Sequence, residues 1–138
     1  MLKRKAISVF MGILFLSGTL WAGEYNFITA AALKKRLDQG PAVILVDIQP
    51  AEQFAKGHIA GSIETNAYPA KTDAEKAQLD KGMPNIAASS VDVVIVCPRG
   101  GGGAKNAYDY YKSKGVADKR LLILEKGMSD WPFEKENK

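Results

Sequence analysis

Short apolar runs alternate with amphipathic stretches along most of the chain. Residues 43–47, 91–96 and 121–124 are almost entirely apolar, which is typical of strands buried on both faces of a parallel sheet. Residues 62–65 are expected to form a further short strand. Because helical stretches separate these runs, right-handed crossovers should join parallel strands. The pattern therefore predicts an α/β domain with a doubly wound central parallel sheet and helices on both of its faces.

The stretches between these runs carry the start and stop signals of helices. Thr29 is suited to cap a first helix, which Gly40 and Pro41 should end. Asp73 and Glu75 favour the first turn of a polar surface helix. The predicted helices cover residues 30–38, 50–56, 72–79 and 104–114, and a final turn or short helix covers residues 127–131.

The first 22 residues have the features of a secretory signal peptide. Three cations at positions 3–5 precede an apolar run over residues 6–20, and Ala22 offers a small residue at a cleavage point. Leu20, three positions before that cut, is larger than usual, so an uncleaved anchor is the alternative. Because the run is shorter than the roughly 20 residues of a spanning helix, removal is favoured. We expect a periplasmic or otherwise exported protein whose mature domain covers residues 23–138.

Length and charge limit the function classes further. A chain of 138 residues is long enough for one compact domain. Loss of the three signal-peptide cations lowers the formal net charge from +4 to +1. No basic face for nucleic acid or for a membrane is then expected, and nothing in the sequence argues against a monomer.

The only cysteine, Cys97, follows the predicted strand at 91–96 and precedes a glycine run. Binding sites in open α/β sheets gather at the carboxyl ends of strands. A tight glycine-rich turn into a helix aims backbone N–H groups at the sulfur, and the helix N-terminus adds partial positive charge. We therefore expect an anion-binding loop, and an arginine at its rim adds positive charge. The loop consists of Pro98, Arg99, Gly100, Gly101, Gly102, Gly103 and Ala104.

Such a loop should lower the pKa of the Cys97 thiol below its free value of roughly 8.5. A thiolate nucleophile and a persulfide both suit this environment. The alternative is a buried structural cysteine beside a flexible turn. No cofactor or metal is expected, because the chain has one histidine and one cysteine and because neither a Walker loop nor a Gly-x-Gly-x-x-Gly pattern is present. His58 is expected to hydrogen-bond a turn.

Three segments together resemble the rhodanese family. Asp47-Ile48-Gln49, followed by Glu52, Phe54 and Gly57-His58-Ile59-Ala60-Gly61-Ser62-Ile63, is similar to the amino-terminal signature of that family. Val93-Val94-Ile95-Val96-Cys97 matches the strand that precedes its catalytic cysteine. Leu124-Glu125-Lys126-Gly127-Met128-Ser129-Asp130-Trp131 resembles its carboxy-terminal signature.

The resemblance implies a rhodanese-like fold and a sulfurtransferase that uses Cys97. Its thiolate would take the sulfane sulfur of a small donor such as thiosulfate and pass it from a persulfide to cyanide or a thiol, with a protein acceptor as a further option. Asp47 is expected either to orient the loop or to cap the following turn.

Several departures from the family pattern bear on that activity. Gln49 replaces the arginine of Asp-x-Arg, Lys126 replaces a glycine, and the helix landmarks suggest one extra residue after the cysteine. A seven-residue loop would resemble that of related phosphatases and arsenate reductases, but Gly103 stands where those enzymes need arginine. The alternative function is a non-catalytic carrier or a module that binds a sulfur or other chalcogen oxyanion.

The remaining aromatic residues are expected to be structural. Trp131 and Phe133 should close the core or shield the loop. On the helix after the loop, Tyr110 and Tyr111 should pack against the sheet, with Tyr108 at its margin.

Overall fold

The computed structural model describes residues 24–138, so the predicted signal peptide lies outside the described residues. Its five strands form one parallel sheet in the order β1-β5-β4-β2-β3. The predicted α/β sheet is confirmed, although the short first strand was not expected from the sequence. The strand bounds are β1 Phe27–Ile28, β2 Val43–Asp47, β3 Ile63–Glu64, β4 Asp92–Val96 and β5 Leu121–Leu124.

Residues 24–138 also contain five α-helices and three 3-10 turns, which lie between the strands except for the last turn, which follows β5. Helix α1 begins after Thr29, whose Oγ1 accepts a 3.1 Å hydrogen bond from Ala32 N, and it ends at Gly40 with φ +81°, as predicted. None of the helices among residues 24–138 is long and apolar enough to cross a bilayer. The helices are α1 Ala30–Gln39, α2 Ala51–Lys56, α3 Asp73–Gln78, α4 Met83–Ala87 and α5 Gly102–Ser113, and the 3-10 turns are Leu79–Gly82, Asp118–Arg120 and Gly127–Asp130.

Two apolar clusters cover the two faces of the sheet. On one face, α5 and the segment from Leu79 to Ile86 pack against Val93, Ile95 and Leu121. On the other face, α1 and the carboxy-terminal residues pack against alternate positions of the same strands, as expected where both faces are buried. The second cluster contains Ile28, Leu33, Leu45, Ile59, Val94, Val96, Leu124, Met128 and Trp131.

The tyrosines of α5 are arranged differently from the sequence prediction. Tyr108 and Tyr111 are fully buried, whereas Tyr110 is only half-buried. Residues three and four apart share a helix face, so Tyr108 and Tyr111 lie with Ala104 and Ala107 against the sheet. The hydroxyl of Tyr110 instead donates a 2.6 Å hydrogen bond to Asp80 Oδ1 at the surface. The placement of Tyr108 at the margin was therefore wrong.

Candidate active site

Cys97 lies directly after β4, the central strand of the sheet. Neighbouring strands β2 and β5 flank β4, so the carboxyl ends of three parallel strands surround the cysteine. Its side chain is buried, with only 1% exposed. The position agrees with the sequence prediction and with the usual location of sites in open α/β sheets.

The loop after Cys97 aims a backbone donor at the sulfur. Gly100 N donates a hydrogen bond to Cys97 Sγ over 2.6 Å, and the amides of Arg99 and Gly101 also stabilise the thiolate. Gly100 has φ +74°, and a Cβ there would lie 2.6 Å from Lys126 N. Glycine is therefore required at position 100 both for the backbone conformation and for the close approach of the neighbouring segment.

The segment of residues 127–129 holds this loop in place through backbone hydrogen bonds. Met128 N donates to Cys97 O over 2.8 Å, and Ser129 N donates to Pro98 O over 2.9 Å. Gly127 has φ +60°, and a Cβ there would overlap Cys97 O and lie 2.7 Å from Arg99 N. The supporting roles of Gly127, Met128 and Ser129 were not predicted, although the carboxy-terminal signature contains all three.

The glycine run divides between loop and helix. Helix α5 begins at Gly102, two residues earlier than predicted, and its first hydrogen bond runs from Lys105 N to Gly101 O. The prediction that the loop extends to Ala104 was therefore wrong, because only residues 98–101 connect Cys97 to the helix. Gly103 is buried against the ring of Tyr68, which leaves no room for a side chain, since a Cβ there would lie 2.7 Å from the ring. Glycine permits this contact while the helical hydrogen bonds continue.

Three residues of the predicted loop thus form the first turn of α5. Ala104 packs in the core, and Gly101 and Gly102 are exposed with open space where side chains would stand. The amides of the first helical turn have no acceptor within the helix. The amides that act on the sulfur itself belong to Arg99, Gly100 and Gly101, in the loop before the helix.

The pKa of the Cys97 thiol is raised above its ordinary value, contrary to the sequence prediction. Burial is the main cause, because it disfavours the thiolate. The amides of Gly100, Arg99 and Gly101 lower the pKa, and the negative charge of Asp47 raises it. Glycine spacing indicated the amides, but it did not show how deeply the sulfur is enclosed.

Asp47 caps the turn after β2, which is one of its two expected roles. Its Oδ1 accepts a 2.8 Å hydrogen bond from Gln49 N, and its Oδ2 accepts a 3.0 Å bond from Gln49 Nε2. Burial raises the pKa of Asp47 to about 6, although the two hydrogen bonds from Gln49 lower it. Gln49 thus satisfies the carboxylate without supplying the positive charge of the family's arginine.

An open cleft of about 320 Å³ lies beside the loop. Arg99 is exposed at its rim, as predicted, whereas the buried Cys97 does not line it. The lining residues are Gln49, Gln53, Lys56, Gly57, Pro98, Arg99, Met128, Ser129 and Lys135.

His58 and the carboxy-terminal aromatic residues are structural. His58 Nδ1 lies 2.9 Å from Phe54 O, and its ring stacks on Phe54 at a centroid distance of 3.9 Å. The predicted turn role of His58 is confirmed. Trp131 is buried in the second apolar cluster with Phe133 against it.

Within residues 24–138, no group of three histidine, cysteine, aspartate or glutamate side chains is placed to hold a metal ion.

Lys126 adopts a left-handed backbone conformation, with φ +62°, where the family signature has glycine. We expect Lys126→Gly to raise the free energy of unfolding by about 0.5 kcal/mol, since relief of roughly 1–2 kcal/mol of strain exceeds the added flexibility of the unfolded chain. Urea denaturation measures this change. The control is Lys35→Gly in the interior of α1, which should lower stability by about 1 kcal/mol. Equal destabilisation by both variants would contradict the strain argument.

The fold and the loop define a class: an α/β domain with a single cysteine held in an amide cradle at the carboxyl edge of a parallel sheet. The family model for rhodanese-like domains matches residues 29–133. The chain therefore belongs to the rhodanese-like domain family, as the sequence resemblance indicated. No curated protein matched the sequence.

Solved structures show the same fold at low sequence identity. The rhodanese-like domain of an Anabaena protein is 19% identical with a TM-score of 0.65, and the match covers 83% of this chain and 81% of that one. A thiosulfate sulfurtransferase from Pseudomonas aeruginosa is 19% identical with a TM-score of 0.63, covering 83% of this chain but 20% of the other. An As-Sb reductase from Leishmania major is 18% identical with a TM-score of 0.59, covering 78% and 77%.

Proposed function

We propose that this protein is a sulfurtransferase that carries a sulfane sulfur on Cys97. The observation that carries the proposal is the 2.6 Å hydrogen bond from Gly100 N to Cys97 Sγ. Amide donors that converge on a sulfur stabilise a thiolate and equally a terminal persulfide anion. The Pseudomonas aeruginosa neighbour, a thiosulfate sulfurtransferase by name, supports this choice of chemistry.

The reaction has two steps that balance. After the thiol releases its proton to solvent, the Cys97 thiolate attacks the outer sulfur of thiosulfate, and the S–S bond breaks with sulfite leaving as the dianion. Cys97 then holds a persulfide anion. Cyanide or a thiolate attacks the outer sulfur, and the Cys97 thiolate is released. The amide donors of the loop hold the negative charge at the sulfur in both steps.

Incubation with thiosulfate, followed by intact-mass measurement, tests the proposal. We expect the protein to gain one sulfur atom and to lose it as thiocyanate when cyanide is added. Cys97→Ser should abolish both changes, because no other cysteine is present in the chain. Absence of the added sulfur with thiosulfate and with glutathione persulfide would exclude the sulfurtransferase function.

The second candidate is a non-catalytic carrier or oxyanion-binding module. The burial of Cys97, which raises its pKa, favours this function because a thiol that ionises less is a poorer nucleophile at neutral pH. Titration with thiosulfate, selenite and arsenate tests it. Binding that protects Cys97 from alkylation without sulfur transfer supports the carrier, whereas no change in alkylation or thermal stability rules it out.

We further propose that residues 1–22 direct export, so that the domain acts in the periplasm or outside the cell. The amino-terminal arrangement of cations, apolar run and Ala22 supports this. The amino-terminal residue of the protein isolated from the producing cells tests the proposal, with cleavage after Ala22 expected.

A further inference from the structure

The cleft of about 320 Å³ beside the Cys97 loop has two walls, and backbone hydrogen bonds hold each wall together. One wall consists of Pro98 and Arg99 with Met128 and Ser129, joined by the bond from Ser129 N to Pro98 O. The other consists of the end of α2 and the carboxy-terminal segment, residues 134–138. Gln49, which is 3% exposed, also lines the cleft.

The carboxy-terminal segment lies beyond the residues matched by the family model, yet it is firmly attached. His58 N donates to Glu136 O over 3.0 Å, and Glu136 N donates to His58 O over 2.8 Å. Lys138 N donates to Ala55 O over 2.9 Å. The aliphatic part of Lys135 lies against Gly57, since a Cβ on that glycine would be 3.0 Å from Lys135 Cδ. The segment thus places Lys135 in the wall of the cleft.

Three positively charged side chains line the cleft, and no acidic side chain in its lining neutralises them. Lys56, Arg99 and Lys135 line it, and no aspartate or glutamate does. In the described part of the chain, none of these three side chains forms a salt bridge. Cations brought together around one cleft repel one another and attract an anion. The side-chain amide of Gln53, which also lines the cleft, can donate hydrogen bonds to carboxylate oxygens, whereas the hydroxyl of Ser129 already donates to Lys126 O over 2.8 Å.

The cleft is larger than an inorganic donor needs. At roughly 30 Å³ per heavy atom, the share of a water molecule in the liquid, thiosulfate would occupy about 150 Å³ and glutathione persulfide about 600 Å³. Thiosulfate would therefore leave part of the open cleft empty, whereas the larger persulfide would fill it and extend into solvent. The cleft has about 320 Å³ and extends from the rim of the loop to the carboxy-terminal segment. Because the loop residues Pro98 and Arg99 line the same cleft as Lys56 and Lys135, a donor whose sulfur lies at the loop has its remote part on the side of these lysines.

We propose that this cleft selects the sulfur donor, with Lys56 and Lys135 binding the carboxylates of a small organic persulfide. The inference rests on the proposed sulfurtransferase function. The Cys97 thiolate attacks the outer sulfur of the donor persulfide, the donor S–S bond breaks, and the donor leaves as a thiolate while Cys97 becomes the persulfide. Lys56 and Lys135 are specificity-determining residues that act on the part of the donor remote from the sulfur.

Binding of S-methylglutathione, an unreactive thioether with two carboxylates, tests the site independently of sulfur chemistry. Isothermal titration calorimetry of the full chain should show a Kd that rises about three- to fivefold in Lys56→Gln and in Lys135→Gln, and roughly tenfold in the double variant. Lys119→Gln removes one positive charge from an exposed position away from the cleft and should leave the Kd unchanged. Equal effects of all three single variants, or no binding, would overturn the assignment.

The rate of Cys97 persulfide formation with two donors then tests selection. In the double variant, the ratio of the rate with glutathione persulfide to the rate with thiosulfate should fall about fivefold. An unchanged ratio would overturn selection by the cleft. If neither donor produces a persulfide while binding of S-methylglutathione still depends on Lys56 and Lys135, the sulfurtransferase function fails and the cleft stands as a binding site.

Discussion

Replacing Gly127 with alanine is expected to lower the free energy of unfolding by about 3 kcal/mol and to disturb the Cys97 loop. Alanine at φ +60° costs about 1 kcal/mol in backbone strain. Its Cβ would also overlap Cys97 O and lie 2.8 Å from Gly100 N, and overpacking of this kind costs typically about 1–3 kcal/mol. Relief of the overlap requires separation of the two segments, which breaks the bond from Met128 N to Cys97 O.

Gly101→Ala is the matched control for this variant. It adds the same methyl group to the same loop, but Gly101 has φ −100° and no atom within 4 Å of its Cβ position. Its stability in urea should stay within about 0.5 kcal/mol of the wild type. Alkylation of Cys97 should accelerate in Gly127→Ala, because a displaced loop exposes the sulfur. Similar stability of the two variants would show that the loop and the segment below it are not closely packed.

The second large effect concerns Asp47 and pH. The pKa of Asp47 is raised by burial from its ordinary 3.8 to about 6, so between these values the folded protein binds more protons than the unfolded chain. Stability contributed by this group therefore falls as pH rises through that window, by about 3 kcal/mol in total. Asp47→Asn removes the titration, so the stability of the variant relative to the wild type should increase by about 2 kcal/mol from pH 4 to pH 7, the part of the total that falls in this range.

Denaturation of both proteins at several pH values measures this difference. Only its change with pH is informative, because the introduced amide alters the hydrogen bonds with Gln49 by an amount that does not depend on pH. Glu52→Gln, which removes an exposed carboxylate from α2, is the control for the loss of one acidic group. A difference between wild type and Asp47→Asn that stays constant from pH 4 to pH 7 would contradict the prediction.

The same substitution should also make Cys97 more reactive. The charge of Asp47 raises the pKa of the Cys97 thiol, so its removal should move the alkylation profile of Cys97 to lower pH. Gln49 is the reason that this charge is uncompensated, since it donates a hydrogen bond to Asp47 Oδ2 but carries no charge. The family's arginine at this position would favour ionisation of Asp47 and of Cys97 together.

The sequence by itself determined the architecture and the place of the site. Short, almost entirely apolar runs separated by helical stretches are typical of strands buried on both faces, and the glycine run after Cys97 placed a tight turn at the edge of the sheet. The ends of α1 followed from Thr29 and Gly40 because capping and left-handed backbone depend on local chemistry. By contrast, β1 has only two residues, and its pairing with β5 rather than its own composition makes it a strand.

Only the tertiary structure decided which glycines of the run are required and how acidic the thiol is. Glycine is required at position 100 by the approach of Lys126 and at position 103 by the ring of Tyr68, whereas a Cβ at Gly101 would meet no atom within 4 Å. The sequence does not distinguish these three glycines. The pKa of Cys97 depends on a balance between burial and amide donors, and burial is contributed by residues distant along the chain. Local pattern revealed the donors, but the enclosure that outweighs them exists only in the folded domain.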